Sequence, residues 1–538
     1  MRDVNRLCVV EDPIHVQKLY AREPGYPAID HVKHMVRVEN PSWSTAMKID
    51  CRKSDRLIVP KKSSNKPGKE GAERMEGRRM PKENKRQQNI LRTQRRESVH
   101  NELLLIHHRA KTDKKMRFTT LMHHIYNIDM LRIAYSEIKK NAAAGVDKET
   151  WESYGRDLEE NLRNLSEKLK RGSYKAKAVK RVYIPKTDGK LRPLGVTALE
   201  DKIVQRAAVA VMNAIYETEF LGFSYGFRPK CNQHQALDAL YMELFTKKVN
   251  FVFDADIQDF FNKINREWLI KFIEHRIADK RVLRLIQKWL NAGILEEGKI
   301  IYNEQGTPQG SSASPLLANV FLHYVYDLWV QQWKKQKAQG DIIVIRFADD
   351  TVVGFQYESD AKQFQKELKE RLQKFGLELH PEKTRLIEFG RFAAKNREKR
   401  GEGKPETFTF LGFTHIFGKT RENGKFTIWR HTIKKKMLVK LRDIKDELRK
   451  RMHLPIPEVG KWLKSVVTGH YRYYGVPGNY DAMNDFRHAI CLKWKHSLKR
   501  RSQKGYVVWE RMNKLSDRWL PRPQIYHKYP NERCGVII

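Results

Sequence analysis

The chain has 538 residues, 40% of them hydrophobic, so it can bury more than one core and is not disordered throughout. Its 105 Lys and Arg outweigh 64 Asp and Glu by 41 charges; nucleic acid is the polyanion that best relieves such self-repulsion, a merely soluble basic protein being the plain alternative. No apolar run reaches the roughly 18 residues of a membrane span, the N-terminus lacks the apolar core of a signal peptide, and five scattered cysteines (Cys8, Cys51, Cys231, Cys491, Cys534) form no CxxC pair, which points to a reduced, intracellular chain without a zinc ribbon or disulfide framework.

Residues 1–110 read as a largely irregular N-terminal extension. Within it, 52 to 100 is rich in Lys, Arg, Gly, Pro and Asn and predicts a mobile basic linker. Helical spacing begins near Phe118, where Leu121, Ile125, Ile128, Leu131 and Tyr135 recur at three- and four-residue steps. Asp147 precedes a segment that reads as a capped amphipathic helix ending at Gly172. "AVKRVYIPKTDGKLRPLGV" reads as a hairpin turning on Asp188-Gly189, and helix returns through "EDKIVQRAAVAVMNAIYETEF". Past residue 245 strands and helices mix; after about 430 the pattern turns helical and strongly basic. There is no internal repeat.

Two acidic strand ends stand out. In "RFADDTVVGF" Asp349 and Asp350 sit side by side between apolar runs, a strand–turn–strand pattern. In "FVFDADIQDFF" the alternating run delivers Asp254 and Asp256 on the same side of an extended chain. Alone, an Asp-Asp pair reads as an ordinary hairpin tip. If the two strand ends lie together, however, Asp256, Asp349 and Asp350 crowd three carboxylates into one place, and a pair of Mg²⁺ ions would supply the counter-charge. Two metals about 3.5–4 Å apart can activate an attacking 3′-hydroxyl and stabilise the leaving oxygen of a phosphoryl transfer.

The ordered set "IPKTDGKLRPLGV", "FSYGFRP", "FDADIQDFF", "GTPQGSSASPLLANVFLHYVYD", "FADD", "GLELHPEKTRLIEFG" and "FTFLGF" resembles the successive blocks of bacterial group II intron-encoded reverse transcriptase/maturases, from about residue 112 to the end. The resemblance implies an α+β, right-hand polymerase. Its fingers and palm would span 111–425, a basic helical thumb/maturase region 426–495, and a basic DNA-binding-like tail 496–538. It further implies that Asp256 and Asp349 ligate the two Mg²⁺ ions, with Asp350 completing the acidic cluster ("FADD" stands where "YADD" is usual). Phe261 would crowd a ribose 2′-hydroxyl and so select dNTPs, Lys186 and Arg192 would grip the triphosphate, and Gln309 would pack on the nucleotide. Lys383 would protonate departing pyrophosphate, and Leu411 and Gly412 would hold the primer terminus. Tyr471, Arg472, Tyr473 and Tyr474 interleave aromatics with cations in a pattern that suits RNA stacking and phosphate contact, with core packing as the alternative. The implied partners are group II intron RNA, a DNA target and primer, and dNTPs, in the cytoplasm and on the nucleoid when bound to target DNA. The paired cysteines of a zinc-supported HNH endonuclease are absent, so second-strand nicking is not expected of this sequence. A non-catalytic RNA-binding maturase, or a domesticated relative in DNA repair or phage defence, remains the alternative.

Overall fold

The computed structural model describes residues 82–185, 191–302, 305–420, 424–501 and 506–530, with side chains from Thr93 onward. The described residues from Arg95 onward form one compact unit, and those before it belong to a second. Of the second unit only Lys82–Gln94 lie among the described residues. The described fold is mixed α+β.

The expected largely irregular extension over 1–110, with its basic linker at 52–100, lies outside the described residues up to 81; from there on the chain is a 31-residue helix, Lys82–Thr112. No Gly or Pro occurs within it, and its Lys, Arg, Gln and Glu are good helix formers. From Arg95 onward it packs inward, with Val99, Ile106 and Ala110 buried in the main core. Downstream, Asn127 separates the helices Met122–Tyr126 and Ile128–Ser136, its side chain accepting from the Asp129 amide. The helix expected after Asp147 is two, Trp151–Tyr154 and Leu158–Lys170. Thr150, not Asp147, forms the first cap, in a reciprocal box with Ser153, while Asp147 takes the Lys177 ammonium at 2.9 Å.

Eleven strands are described: β1 (Val179–Pro185), β2 (Leu191–Val196), β3 (Phe251–Ala255), β4 (Ile294–Glu296), β5 (Lys299–Ile301), β6 (Ile342–Phe347), β7 (Asp350–Phe355), β8 (Arg385–Glu388), β9 (Phe408–Phe410), β10 (Phe413–Lys419) and β11 (Phe426–Thr432). They form three sheets, ordered β2-β1-β4-β5, β6-β7-β3-β8 and β11-β10-β9. The second sheet is buried on both faces. Phe253, Val344, Val353 and Phe355 enter one core, while Val252, Ile343, Ile345 and Val352 enter another. That double burial explains why its strands read as nearly unbroken apolar runs. Charged groups can then sit only at strand ends or in buried pairs.

The division expected at 425/426 falls inside the β10–β11 hairpin, which is paired from Phe413↔Thr432 to Lys419↔Phe426. Four helices follow, Lys434–Lys450, Ile456–Tyr474, Tyr480–Lys499 and Trp509–Trp519, around a third core with Leu463, Tyr471 and Trp494 at its centre. The expected tail is not a separate arm where it is described. The Tyr526 and His527 amides donate to the Gly475 carbonyl at 2.9 and 3.0 Å, and the His527 ring stacks on His234 with centroids 3.6 Å apart. No helix among the described residues is long and apolar enough to cross a membrane.

One buried group in the third sheet makes stability pH-dependent. His415 on β10 is 1% exposed and lies flat on Phe408, and neither ring nitrogen has a hydrogen-bond partner among the described residues. Burial, helped by Arg430, pushes its pKa down to about 3. An unfolded histidine takes up a proton below about 6.5, which the folded one refuses. Stability from this group is therefore full above 6.5 and declines as pH falls towards 3. His415→Phe should remove that slope. Unfolding free energies from urea titrations at pH 7 and pH 5 should differ for wild type by about 2 kcal/mol more than for the variant; parallel changes would refute the assignment.

Candidate functional site

β3 ends with Ala255 opposite Thr351 of β7, and β6 and β7 close through the pair Phe347↔Asp350. Asp256 thus follows at the same sheet edge as the Ala348–Asp349 turn. Ala348 holds a left-handed φ of 58° in that turn, a conformation costly for a residue with a side chain.

The turn is braced from beneath. Arg346, 1% exposed in β6, forks onto Asp327, 0% exposed, at 2.7 and 2.6 Å. The remaining donors of its guanidinium reach the Asn319 side chain at 3.1 Å, the Ser224 hydroxyl at 2.6 Å and the Ala348 carbonyl at 2.9 Å. The "FSYGFRP" segment lies alongside: the Tyr225 amide donates to the Arg346 carbonyl and the Arg346 amide to the Phe223 carbonyl. Gly226 fits because a Cβ there would stand 2.2 Å from the Ala348 nitrogen. None of Arg346, Asp327, Asn319, Ser224 or Gly226 was singled out from sequence. An arginine inside an apolar strand was the available signal, since a buried guanidinium requires a buried acid.

The carboxylates feel one another. Asp349 is lifted above its ordinary pKa first by burial, then by Asp256, against its own backbone amide, Arg192 and Lys383. Asp350 is pushed up to about 6 by burial, then by Asp349 and Asp256. Its side chain still opens to solvent, so a ligand can reach it although surrounding protein strips much of its water. Asp254, offset by Arg385 on β8, rises to about 7, first from burial and then from Asp350 and Asp256. Raised carboxylate pKa values mean negative charge short of compensation.

Lys383 Nζ meets Asp256 Oδ2 at 2.5 Å. Burial opposes its charge, but the bond to Asp256 and the fields of Asp350 and Asp349 prevail and raise its pKa. Lys436, two residues into the helix Lys434–Lys450, also acts on Asp350 and was not foreseen. Among the described residues no three Asp, Glu, His or Cys side chains stand in a ready-made metal cage. Asp256, Asp349 and Asp350 stand there as three electrostatically coupled carboxylates, one of them paired with a lysine. Their donor set is all oxygen, which suits a hard cation such as Mg²⁺.

Arg192 on β2 is exposed and acts on Asp349; its expected companion Lys186 lies outside the described residues. Phe261, half-buried, packs on Phe260, and its carbonyl accepts from the Thr307 amide at 2.8 Å. The Gln309 carbonyl accepts from the Gly195 amide at 2.6 Å. Leu411 and Gly412 turn between β9 and β10 with φ of 46° and 86°. The Tyr473 hydroxyl donates to the Leu411 carbonyl at 2.7 Å, and the Tyr474 hydroxyl would lie 3.2 Å from a Cβ on Gly412.

Of these tyrosines, Tyr471 takes the core-packing alternative. Tyr471 is fully buried in the third core and offers no face to RNA. Tyr473 and Tyr474 are half-buried against the Leu411–Gly412 turn, and Arg472 is exposed.

The reverse transcriptase (RNA-dependent DNA polymerase) family matches residues 184–415, a stretch that includes all of these residues except Lys436 and the 471–474 segment. Over 239 residues the chain is 34% identical to protein YkfC of Escherichia coli (strain K12), covering 43% of this chain and 62% of that protein. It is 35% identical over 221 residues to the group II intron-encoded protein LtrA of Lactococcus lactis subsp. cremoris, covering 40% of this chain and 36% of that protein. A 91 kDa protein in a cob intron of Schizosaccharomyces pombe is 34% identical over 215 residues, covering 39% of this chain and 26% of that protein. The matched stretch thus spans less than two thirds of each of these relatives.

Proposed function

The chain belongs to the group II intron reverse transcriptase/maturase family, and from that premise we propose that it is an RNA-directed DNA polymerase that also binds its intron RNA to assist splicing and mobility. In this reading the first sheet contributes to the fingers, the second forms the palm, and the four C-terminal helices form the thumb and maturase surface. The supporting observation is the meeting of Asp256 with Asp349 and Asp350 at one sheet edge, inside the matched stretch.

Two Mg²⁺ ions held by Asp256, Asp349 and Asp350 would supply charge neutralisation and activation of the primer 3′-hydroxyl. The chain's own residues do the rest. Arg192 and Lys186 bind the triphosphate, Arg192 through its planar fork. Phe261 occupies the space a 2′-hydroxyl would need, and Gln309 packs on the base and sugar. The Leu411–Gly412 turn holds the primer end. The primer 3′-hydroxyl passes its proton to water as its oxygen bonds to the α-phosphorus and the bond to pyrophosphate breaks; Lys383, kept protonated by the acids around it, gives its Nζ proton to the departing oxygen. The substrates and partners of this reading are dNTPs, a primer and target DNA, and intron RNA, met in the cytoplasm and on nucleoid DNA.

The Lys383–Asp256 ion pair favours a second reading, in which the polymerase site is vestigial and the protein only chaperones RNA. Purified protein given poly(rA)/oligo(dT), dTTP and Mg²⁺ decides between them. DNA should accumulate with wild type and not with the Asp349→Ala plus Asp350→Ala variant; equal background from both would overturn the polymerase reading. Intron splicing by the double variant would show that RNA folding needs no polymerisation.

A further inference from the structure

The loop that carries Gln309 is fastened to the Phe261 segment by a side chain that belongs to no motif. Arg266 opens the helix Arg266–Glu274 and spreads its guanidinium over three acceptors. Nε donates to the Gly306 carbonyl at 3.0 Å, Nη2 to the Gln305 carbonyl at 3.2 Å and Nη1 to the Asn291 side chain at 3.2 Å. Main-chain bonds complete the junction: the Gly306 amide to the Ile264 carbonyl, the Thr307 amide to the Phe261 carbonyl and the Gly195 amide to the Gln309 carbonyl, at 2.8, 2.8 and 2.6 Å. The fit is close. A Cβ on Gly306 would lie 2.7 Å from the Asn262 carbonyl oxygen and 2.9 Å from that of Phe261, and one on Gly310 would lie 2.5 Å from that of Gly195.

The loop is not packed solid throughout. A cavity of about 500 Å³ adjoins it, lined by Arg181, Asn262, Arg266, Asn291 and residues Gln305–Gln309. With free volume on one side and van der Waals contact on the other, the loop's position depends on the bonds that hold it. Arg266 has no carboxylate among these partners; it grips two backbone carbonyls and one amide, so its task is geometric rather than charge balance. A lysine offers a single ammonium and cannot span three acceptors set around a planar fork.

We propose that Arg266 is a positioning residue that fixes the spacing between Phe261 and Gln309, and so sets how tightly the site grips a deoxynucleotide and how firmly it rejects a ribonucleotide. This rests on the reading of Phe261 and Gln309 as nucleotide contacts. Without the clamp the Gln305–Gln309 loop can settle towards the cavity, which widens the nucleotide space while leaving the acids in place.

The test is steady-state primer extension on poly(rA)/oligo(dT) with dTTP or UTP, comparing wild type with Arg266→Gln, Arg266→Lys and Phe261→Val, all checked for a cooperative melt. Arg266→Gln should raise KM for dTTP about tenfold, the scale of one or two lost hydrogen bonds. Its kcat should change less, and dTTP/UTP selectivity should fall about as much as KM rises; Arg266→Lys should lie between it and wild type. Phe261→Val should relax selectivity by itself. If Phe261→Val relaxes selectivity while both Arg266 variants keep wild-type KM and selectivity, the positioning role is wrong and the Phe261 reading survives. A fall in kcat alone, with KM and selectivity unchanged, would likewise overturn it as mere structural damage. If Phe261→Val leaves selectivity unchanged, the underlying nucleotide-contact reading falls and the inference falls with it.

Discussion

Asp256→Asn should abolish nearly all DNA synthesis while leaving the protein as stable as wild type. The substitution keeps size and removes one negative charge from a place where three are coupled. Charge stabilisation of this kind contributes several kcal/mol to a phosphoryl-transfer transition state, and about 1.4 kcal/mol corresponds to a factor of ten, so on the order of a thousandfold loss in kcat is expected. Stability moves otherwise. The ion pair with Lys383 disappears, but that lysine is 62% exposed, and exposed pairs contribute at most about 1 kcal/mol. Against this, Asp349 and Asp350 are relieved of a like charge. A neutral or higher melting temperature together with lost activity would mark a group retained for function at the expense of stability. Primer extension and thermal melting on one preparation measure both, and wild-type kcat in Asp256→Asn would refute the role assigned to this carboxylate.

Arg346→Met should be the most destabilising single change of those considered. It leaves Asp327 fully buried without its partner and deprives Asn319, Ser224 and the Ala348 carbonyl of a donor. Breaking a buried pair from one side costs roughly 3–5 kcal/mol, because the surviving acid is buried without its partner. Adding Asp327→Leu should recover much of that loss, since two apolar side chains of similar volume leave no orphan charge. Activity should not recover with it: the left-handed Ala348 turn that presents Asp349 and Asp350 still lacks its brace. Urea midpoints and primer extension for the two single variants and the double give the full cycle. An Arg346→Met protein that unfolds with wild type would sink the claim.

The second sheet was readable in sequence because its strands are buried on both faces, which leaves unbroken apolar runs and forces the acids to the ends. The helix at Lys82–Thr112 was not, because an average over 52–100 blends Gly- and Pro-rich chain with a stretch that has neither. Tyr471 could have been placed correctly: Val459, Leu463, Val467 and Tyr471 recur every four residues and are all buried, a core stripe outweighing the basic residues between them. The Arg346–Asp327 pairing was half legible, since the arginine betrays a partner but not which acid, 19 residues away in sequence. Arg266 gave no signal, because its acceptors are mostly backbone carbonyls, which every residue carries. Lys383 on Asp256 shows the converse limit: residue types fix possible roles, and only geometry tells which one is occupied.

The second sheet is a party wall between two oily rooms, with Val252 and Ile345 on one side and Phe253 and Val344 on the other. Slack in either room tilts the wall, and the acidic rim tilts with it. Sequence drift far from the acids is thus constrained from both directions at once, and the rim inherits the stiffness of both interiors.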